Sequence, residues 1–459
     1  MTPLLGAIFL YLAVQFGIGL WVARRIHSES EYLIAGRSLG YPLATFTIFA
    51  TWFGAETIVG SGGQTFTHGV SFAAAEPFGY GLCLVLMGLV FAAPLWRRGL
   101  TTLADLFRTR FSSGVERLAA IVLIPGSILW AAAQVRAFGH VVASASTLEV
   151  ETGIAIAAGF VVAYTIVGGL LADAMTDLLQ GIVLVLGLVV VGVAVTLHLG
   201  GPVEAARVAF APDRISVTGG GELTLLAGLE EWLIPICGSV VAAELVQRVI
   251  ATRTPTIARR SALMAGGLYL TVGVIPVFIG LAGAGLGVSL VDPEQVVPSL
   301  ARELLPPVLY VLFAGALISA ILSTVDSTLL VAAGLLSHNL VAPALRLPEG
   351  RSRLILARAA VLVCGIGAYL LAHRAEGVFA LVEQASAFGS AGVVVTVTFG
   401  LFTSWGGPRT AYATLGVGVG VYVMGSVAGW PYPFLGSLTS ALATYGAGAT
   451  LEAGVRSGV

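Results

Sequence analysis

Apolar residues run through this chain in stretches of about twenty, separated by short segments rich in arginine, glycine and proline. A stretch of that length crosses the hydrocarbon core of a bilayer as an α-helix. Thirteen spans are predicted, starting near Leu4, Tyr41, Phe72, Val115, Gly153, Asp173, Leu223, Ile257, Pro307, Arg353, Gly377, Thr410 and Pro433. The longest polar segments, 97–117, 198–222 and 286–307, are too short for a core of their own, so no soluble domain is expected. The run from Leu4 to Ala23 has no basic stretch before it and is followed by Arg24 and Arg25, which predicts a retained span rather than a cleaved signal.

Two spans break the pattern. The second carries Glu56, Thr51, Thr57, Ser61 and Gly54, Gly60, Gly62 and Gly63 between Phe49 and Gly63; the seventh carries Pro235-Ile-Cys-Gly-Ser239. In hydrocarbon every backbone N–H and C=O needs a partner, so such interruptions survive only where protein or a watered cavity surrounds them. Both therefore read as broken helices lining a site. They lie five spans apart, and an odd offset reverses orientation, so spans two to six and seven to eleven form two inverted halves with a site at their interface. The expected division is 1–40 as a peripheral first span and loop, 41–199 as the first five-helix repeat and 200–222 as an extracellular loop. The inverted second repeat follows at 223–405, and 406–459 forms peripheral C-terminal spans.

Composition agrees: 57% of the 459 residues are hydrophobic, 10% are charged and the mean hydropathy is +0.96, which excludes a soluble globular enzyme. The net charge is −1, giving no attraction to nucleic acid. Cys83, Cys237 and Cys364 are scattered through apolar runs without disulfide or metal spacing. All 23 basic residues other than histidine are arginine, and with the N-terminus outside, 18 of them fall on inner segments. Arg207, Arg214, Arg302 and Arg374 fall outside and Arg136 lies within the bilayer. This asymmetry predicts a multi-pass plasma (inner) membrane protein with its N-terminus outside.

The ninth span holds the densest polar group, Ser323-Thr-Val-Asp326-Ser-Thr328. Offsets of three and four gather Ser323, Thr324, Asp326 and Ser327 around one side of a helix. Hydroxyls with backbone carbonyls suit a small monovalent cation; alternatively they glue helices together or bond back to the i−4 carbonyl.

These residues resemble the sodium/solute symporter family over nearly the whole chain. Ala320-Ile-Leu-Ser-Thr-Val-Asp-Ser327 is similar to the family's sodium-site helix, and Gly168-Gly-Leu-Leu-Ala-Asp-Ala-Met-Thr-Asp-Leu-Leu-Gln180 to the start of its sixth span. Gln247-Arg248 closes the seventh span as in relatives. The resemblance implies an all-α leucine-transporter-type fold of five plus five inverted spans. It implies a sodium ion held by the carbonyls of Ala50, Phe53 and Ala320 and the hydroxyls of Ser323 and Thr324. Asp177, Asp326 and Ser327 would form a second cation site found in some members. Thr176 and Asp177 also open an otherwise apolar run ending near Leu197, so a helix-capping role for Asp177 or Asp173 stays open.

Trp52, Tyr80 and Trp130 stand near the breaks, with Glu56, Glu76, Glu230, Glu231 and Glu244 along the same path. Aromatics beside carboxylates hold quaternary ammonium groups through cation–π attraction, whereas a lone aromatic in a span is more often packing or interface belt. Thr51-Trp-Phe-Gly54, Pro77-Phe-Gly-Tyr80 and Trp130-Ala-Ala-Ala133 resemble the high-affinity choline transporter branch, which implies substrate contacts at Trp52, Tyr80 and Trp130; Glu56, Glu76 and Glu244 are expected to join them as negative charge along the path. That branch adds a tryptophan in the seventh span, where this chain reads Val240-Val-Ala-Ala-Glu244. Gln384, Ser386 and Arg136 are expected at a gate or a helix–helix contact. Arg136 either binds a substrate carboxylate or pairs with one of the glutamates.

The expected function is sodium-coupled symport of a small polar solute, choline-like or another organic cation, by alternating access. A neutral amino acid or sugar is the alternative substrate. Sodium, the solute and the lipid bilayer are the expected partners, with no cofactor, nucleic acid or protein partner. An intramembrane enzyme is disfavoured: the chain lacks His-Glu-x-x-His, paired prenyl-diphosphate aspartates and a serine or cysteine with a neighbouring histidine. A channel or a sensor with a transporter fold is the rival of another class, and no signalling domain follows Val459.

Overall fold

The computed structural model describes residues 3–71, 75–144, 148–212, 214–215, 225–290, 292–374 and 378–457. Among these residues the regular structure is helical, with two isolated bridges, Leu39 to Thr252 and Val70 to Ile215, and no named strand. The principal helices are α1 (Pro3–Ala23), α2 (Tyr41–Trp52), α3 (Glu56–His68), α4 (Phe78–Arg97), α5 (Ser113–Ser144), α6 (Val150–His198), α7 (Leu225–Leu233) and α8 (Ala243–Ile250). They continue with α9 (Pro255–Gly285), α10 (Pro307–Gly334), α11 (Arg351–Arg374), α12 (Val378–Ala387), α13 (Ser390–Phe402), α14 (Pro408–Val427) and α15 (Pro433–Ser457).

Both predicted breaks are present. Phe53, with φ −93° and ψ 67°, ends α2, and α3 sets off at 55° to it through a wide-turned stretch at Glu56–Gly60. In the seventh span α7 runs into a similar stretch at Ile234–Gly238, and Ser239–Ala242 leads into α8. Gly238 is required there, because a Cβ on it would come within 2.4 Å of the Ser386 carbonyl oxygen. A further bend falls at Gly169 in α6, where φ 58° and ψ −176° admit glycine far more readily than any other residue. Tyr32, on the short helix Glu29–Ile34, packs into that bend and donates its hydroxyl to the Thr165 carbonyl at 2.7 Å.

By length and hydropathy nine of the described helices can cross a membrane, or ten with the bent pair α2–α3. The thirteen predicted spans are not reached by that measure, which takes the bent 49-residue α6 as one helix. The predicted starts at Phe72, Leu223 and Gly377 lie outside the described residues; the helices there begin at Phe78, Leu225 and Val378.

The centre of the molecule is α10. From Ala316 to Gly334 every residue is buried, packed against α5, α6 and α2. A helix enclosed on all sides can keep polar groups only by satisfying them from its neighbours, which is why its hydroxyls meet carbonyls of the broken second span. Large apolar side chains face outward instead on α1 (Leu10, Val14, Leu20), late α6 (Leu186, Val193) and α11 (Leu362, Val363, Ile366), as lipid requires. The loops near Arg37, Arg98, Arg110 and Arg253 meet at one face, where these side chains donate to the carbonyls of Leu100, Leu401, Trp405 and Ser38.

Candidate functional site

Where α2 ends, its last carbonyls lose their helical donors. The Ser323 hydroxyl reaches the Ala50 carbonyl at 2.8 Å and the Ala320 carbonyl at 3.1 Å, and Thr324 reaches the carbonyls of Thr51 and Ala320, both at 3.0 Å. All five residues are fully buried. Each hydroxyl donates one proton and keeps lone pairs, so the cluster offers several neutral oxygens to a hard cation. Four of the five predicted sodium ligands, Ala50, Ala320, Ser323 and Thr324, thus meet. Phe53 stands at the break, but its carbonyl accepts neither hydroxyl; the carbonyl of Thr51, to which no role was assigned, takes the Thr324 proton. Among the described residues no three His, Cys, Asp or Glu side chains converge as a metal-binding cluster.

One turn further along α10 is a charged locus. Arg248, fully buried on α8, donates to Asp173 at 2.5 Å and to Thr51 Oγ1 at 2.7 Å, and also to Ser327 Oγ. Ser327 in turn donates to Asp173 at 3.1 Å. Asp177 accepts from Thr47 at 2.5 Å and Asp326 from the Ser327 amide at 2.9 Å. Of these carboxylates Asp173 alone bonds the guanidinium, and Asp173 Oδ1, Asp177 Oδ1 and Asp326 Oδ2 are buried without a hydrogen-bond partner. Asp177 lies mid-helix in α6, so the helix-capping alternative is wrong; its partner is on α2, one span away in space. Asp173 lies one turn past the bend at Gly169 and pairs with Arg248.

The solute residues form a third locus. The rings of Trp52 and Trp130 meet edge to face, 5.2 Å apart at 74°. Gln134 ties the break to α5: its carbonyl accepts from the Ala55 amide at 3.2 Å and its amide donates to Glu56 at 2.7 Å. Tyr269 hydrogen-bonds Thr57 at 2.6 Å and donates to Glu76 at 3.1 Å, and the Tyr80 hydroxyl meets Ser386 at 2.8 Å. Two clefts open around this locus. One is lined by Glu56, Glu76, Tyr80, Glu231 and Glu383; the other by Ser127, Trp130, Ser239, Glu244 and Ser386.

Several expectations are corrected. Arg136 pairs with none of the glutamates; it donates to the Ala372 carbonyl at 3.2 Å, which serves to tie α5 to α11. Gln384 is exposed and lines neither cleft; its neighbour Glu383 does, because one step along a helix turns a side chain by about 100°. Glu230 is not on the path: both its oxygens accept from the amides of Phe434 and Leu435 at 2.7 Å, capping α15. Gln134, Tyr269, Ser127 and Ser239 were missed. Their signal was present, since each is a polar group inside an apolar run.

The charged loops form a separate cluster at the arginine-rich face. Asp105, on a short helix at Ala104–Arg110, lies 3.3 Å from a ring nitrogen of His338, whose other nitrogen lies 3.1 Å from Glu29. Burial raises the Asp105 carboxyl, but the hydrogen bond and charge of His338 and the amides of Thr102 and Thr101 outweigh it and hold the group below its ordinary value.

A family model described as "Sodium:solute symporter family" matches residues 32–418. The high-affinity choline transporter 1 of Caenorhabditis elegans is 26% identical over 413 residues, covering 83% of this chain and 71% of that one. The high-affinity proline transporter PutP of Bacillus subtilis is 27% identical over 434 residues, covering 90% of each. Among solved structures, an outward-open Na+-coupled sialic acid symporter superposes with TM-score 0.85 at 17% identity, covering 97% of both chains. A nucleobase-cation-symport-1 transporter in a closed conformation gives 0.61 at 18% identity, over 90% of this chain and 92% of that one. These structures share the leucine-transporter-type architecture, and the fold follows from them.

Proposed function

The chain belongs to the sodium:solute symporter family and is a multi-pass membrane transporter rather than an enzyme, and we propose that it imports a small organic cation, choline-like in chemistry, together with sodium by alternating access. The observation that carries the substrate class is the edge-to-face pair of Trp52 and Trp130 beside the carboxylates Glu56, Glu76 and Glu244. Aromatic faces and negative charge in a desolvated cavity together favour a cation by ~2 kcal/mol or more per good contact. The curated choline transporters support the same class.

Sodium would sit between the two halves of the second span and α10, on the carbonyls of Ala50 and Ala320 and the hydroxyls of Ser323 and Thr324. The unpartnered oxygens of Asp177 and Asp326 support a second cation beside Ser327, while Asp173 is taken up by Arg248. Ions and solute each favour one arrangement of the breaks, so their binding is reciprocally coupled. One charge moved through the membrane potential supplies ~2.3 kcal/mol per 100 mV, roughly fifty-fold accumulation. With the arginine-rich face inside, the N-terminus is outside.

One observation favours a second substrate class. Val241, Ala242 and Ala243 line the second cleft with small aliphatic side chains rather than a further ring, and a proline transporter is among the relatives, so a small zwitterion belongs in the panel. The test is uptake of radiolabelled choline, betaine, proline and glucose into liposomes with and without an inward sodium gradient. Sodium-dependent choline uptake is expected. If no solute moves faster with sodium and Ser323→Ala changes nothing, symport is wrong.

A further inference from the structure

Two clefts that share no lining residue form the chambers of the solute locus, and their chemistry is more demanding than a single ammonium group can meet. The first chamber is lined by four carboxylates, Glu56, Glu76, Glu231 and Glu383, and the second by Glu244 with Ser127, Ser239 and Trp130. No arginine lines either chamber, and the chain contains no lysine. Tyr80 lines the first chamber and Ser386 the second, so the 2.8 Å bond between them stands at the partition.

Independent of charge, the locus presents polar atoms that nothing in the protein satisfies. Ser239 Oγ is unpartnered on a side chain that is 1% exposed and lines the second chamber. Glu76 Oε2, on the wall of the first, is a buried atom that likewise has no partner. A buried polar atom without a partner costs on the order of 1–3 kcal/mol, so such atoms gathered at one locus point to groups supplied by a ligand.

We propose that this locus selects solutes with two protonated amines, an α,ω-diamine holding one ammonium in each chamber, over the singly charged choline-like solutes. A carboxylate only accepts hydrogen bonds. A primary ammonium brings three N–H donors that Glu76, Glu56 and Ser239 can accept, whereas a trimethylammonium brings none. One positive charge leaves carboxylates in the other chamber uncompensated, and in a low-dielectric site that imbalance is costly. The methylene chain would pass the rings of Tyr80 and Trp130, where apolar contact is favourable.

The inference rests on the organic-cation reading above. The test uses the full chain in detergent with saturating sodium, titrated with 1,4-diaminobutane, n-butylamine and choline, read as thermal stabilisation and then as sodium-driven uptake into liposomes. The diamine should half-saturate at a concentration at least tenfold lower than n-butylamine or choline. Glu76→Gln, and separately Glu231→Gln with Glu383→Gln near the cleft mouth, should bring that ratio towards one; the shift produced by sodium alone reports that each variant is folded. A diamine that binds no better than n-butylamine, or a ratio that survives both sets of substitutions, overturns the proposal. Binding of choline and n-butylamine without a diamine advantage would refute this inference alone. Failure of all three cations to bind would refute the organic-cation reading and this inference with it.

Discussion

The two broken helices solve the same problem, a backbone interrupted inside a membrane, with opposite chemistry. At the second span the freed carbonyls of Ala50 and Thr51 are met by the neutral hydroxyls of Ser323 and Thr324. These hydroxyls and carbonyls pair with one another, and the locus can offer the same oxygens to a small cation with no change in protein charge. At the seventh span the break is flanked by charge: Glu244 bonds Ser127 on one side, while one turn later Arg248 is buried against Asp173. Ser239, within the break itself, keeps an unpartnered hydroxyl. The first break is thus suited to recognise an ion, and the second to hold the halves together and to face a solute.

The comparison is broken most severely at Arg248. Removing one partner of a buried ion pair strands the other charge, so Arg248→Met should destabilise the protein by ~3–5 kcal/mol, measured as the midpoint of thermal unfolding in detergent. An Arg248→Met variant as stable as the parent would show that Asp173 is not held by this pair.

At the other break the cost should appear in ion affinity rather than in folding. Ser323→Ala combined with Thr324→Ala removes two oxygens worth on the order of 1–1.5 kcal/mol each, so the sodium concentration for half-maximal uptake should rise by about one to two orders of magnitude. Unchanged sodium dependence would move the ion elsewhere.

A smaller effect separates solute from ion. Trp130→Leu keeps apolar volume but loses the ring face; a desolvated cation–π contact of ~2 kcal/mol predicts a rise of roughly tenfold or more in the KM for an organic cation. Stabilisation by sodium alone should remain near that of the parent. If KM is unmoved, the aromatic pair is packing.

The smallest effect lies away from both breaks, at Asp105. Its carboxyl sits below its ordinary value in the folded protein, so it contributes stability that is fully present above the unfolded value near ~3.9 and is lost as pH falls through the lower folded one. Unfolding midpoints of the parent and Asp105→Asn should therefore differ at neutral pH and converge below about pH 4. A difference that persists in acid would indicate a purely geometric role.

Much of this was legible beforehand because the bilayer is an unforgiving solvent. Apolar runs, arginine placement and the interruptions at Gly54 and Pro235 follow from composition and period alone, and Ser323 with Thr324 stood out as oxygens no lipid-facing helix would carry. The residues misjudged share one feature, that their neighbours are far away in sequence. Arg136 finds a carbonyl on α11 rather than a glutamate, and Glu230 finds the amides that open α15.

By itself, then, the sequence determined that this is a helical membrane transporter with two broken spans and an oxygen-rich helix, since a polar group in hydrocarbon must have a purpose wherever it falls. Only the tertiary structure decided which carbonyl meets which hydroxyl, that the Thr51 carbonyl takes the Thr324 proton, and that four glutamates from four different spans face one cleft. The physical reason is that hydrogen bonds and charges act over a few ångströms, and positions such as Glu76 and Glu383 come within that range only after the chain has folded.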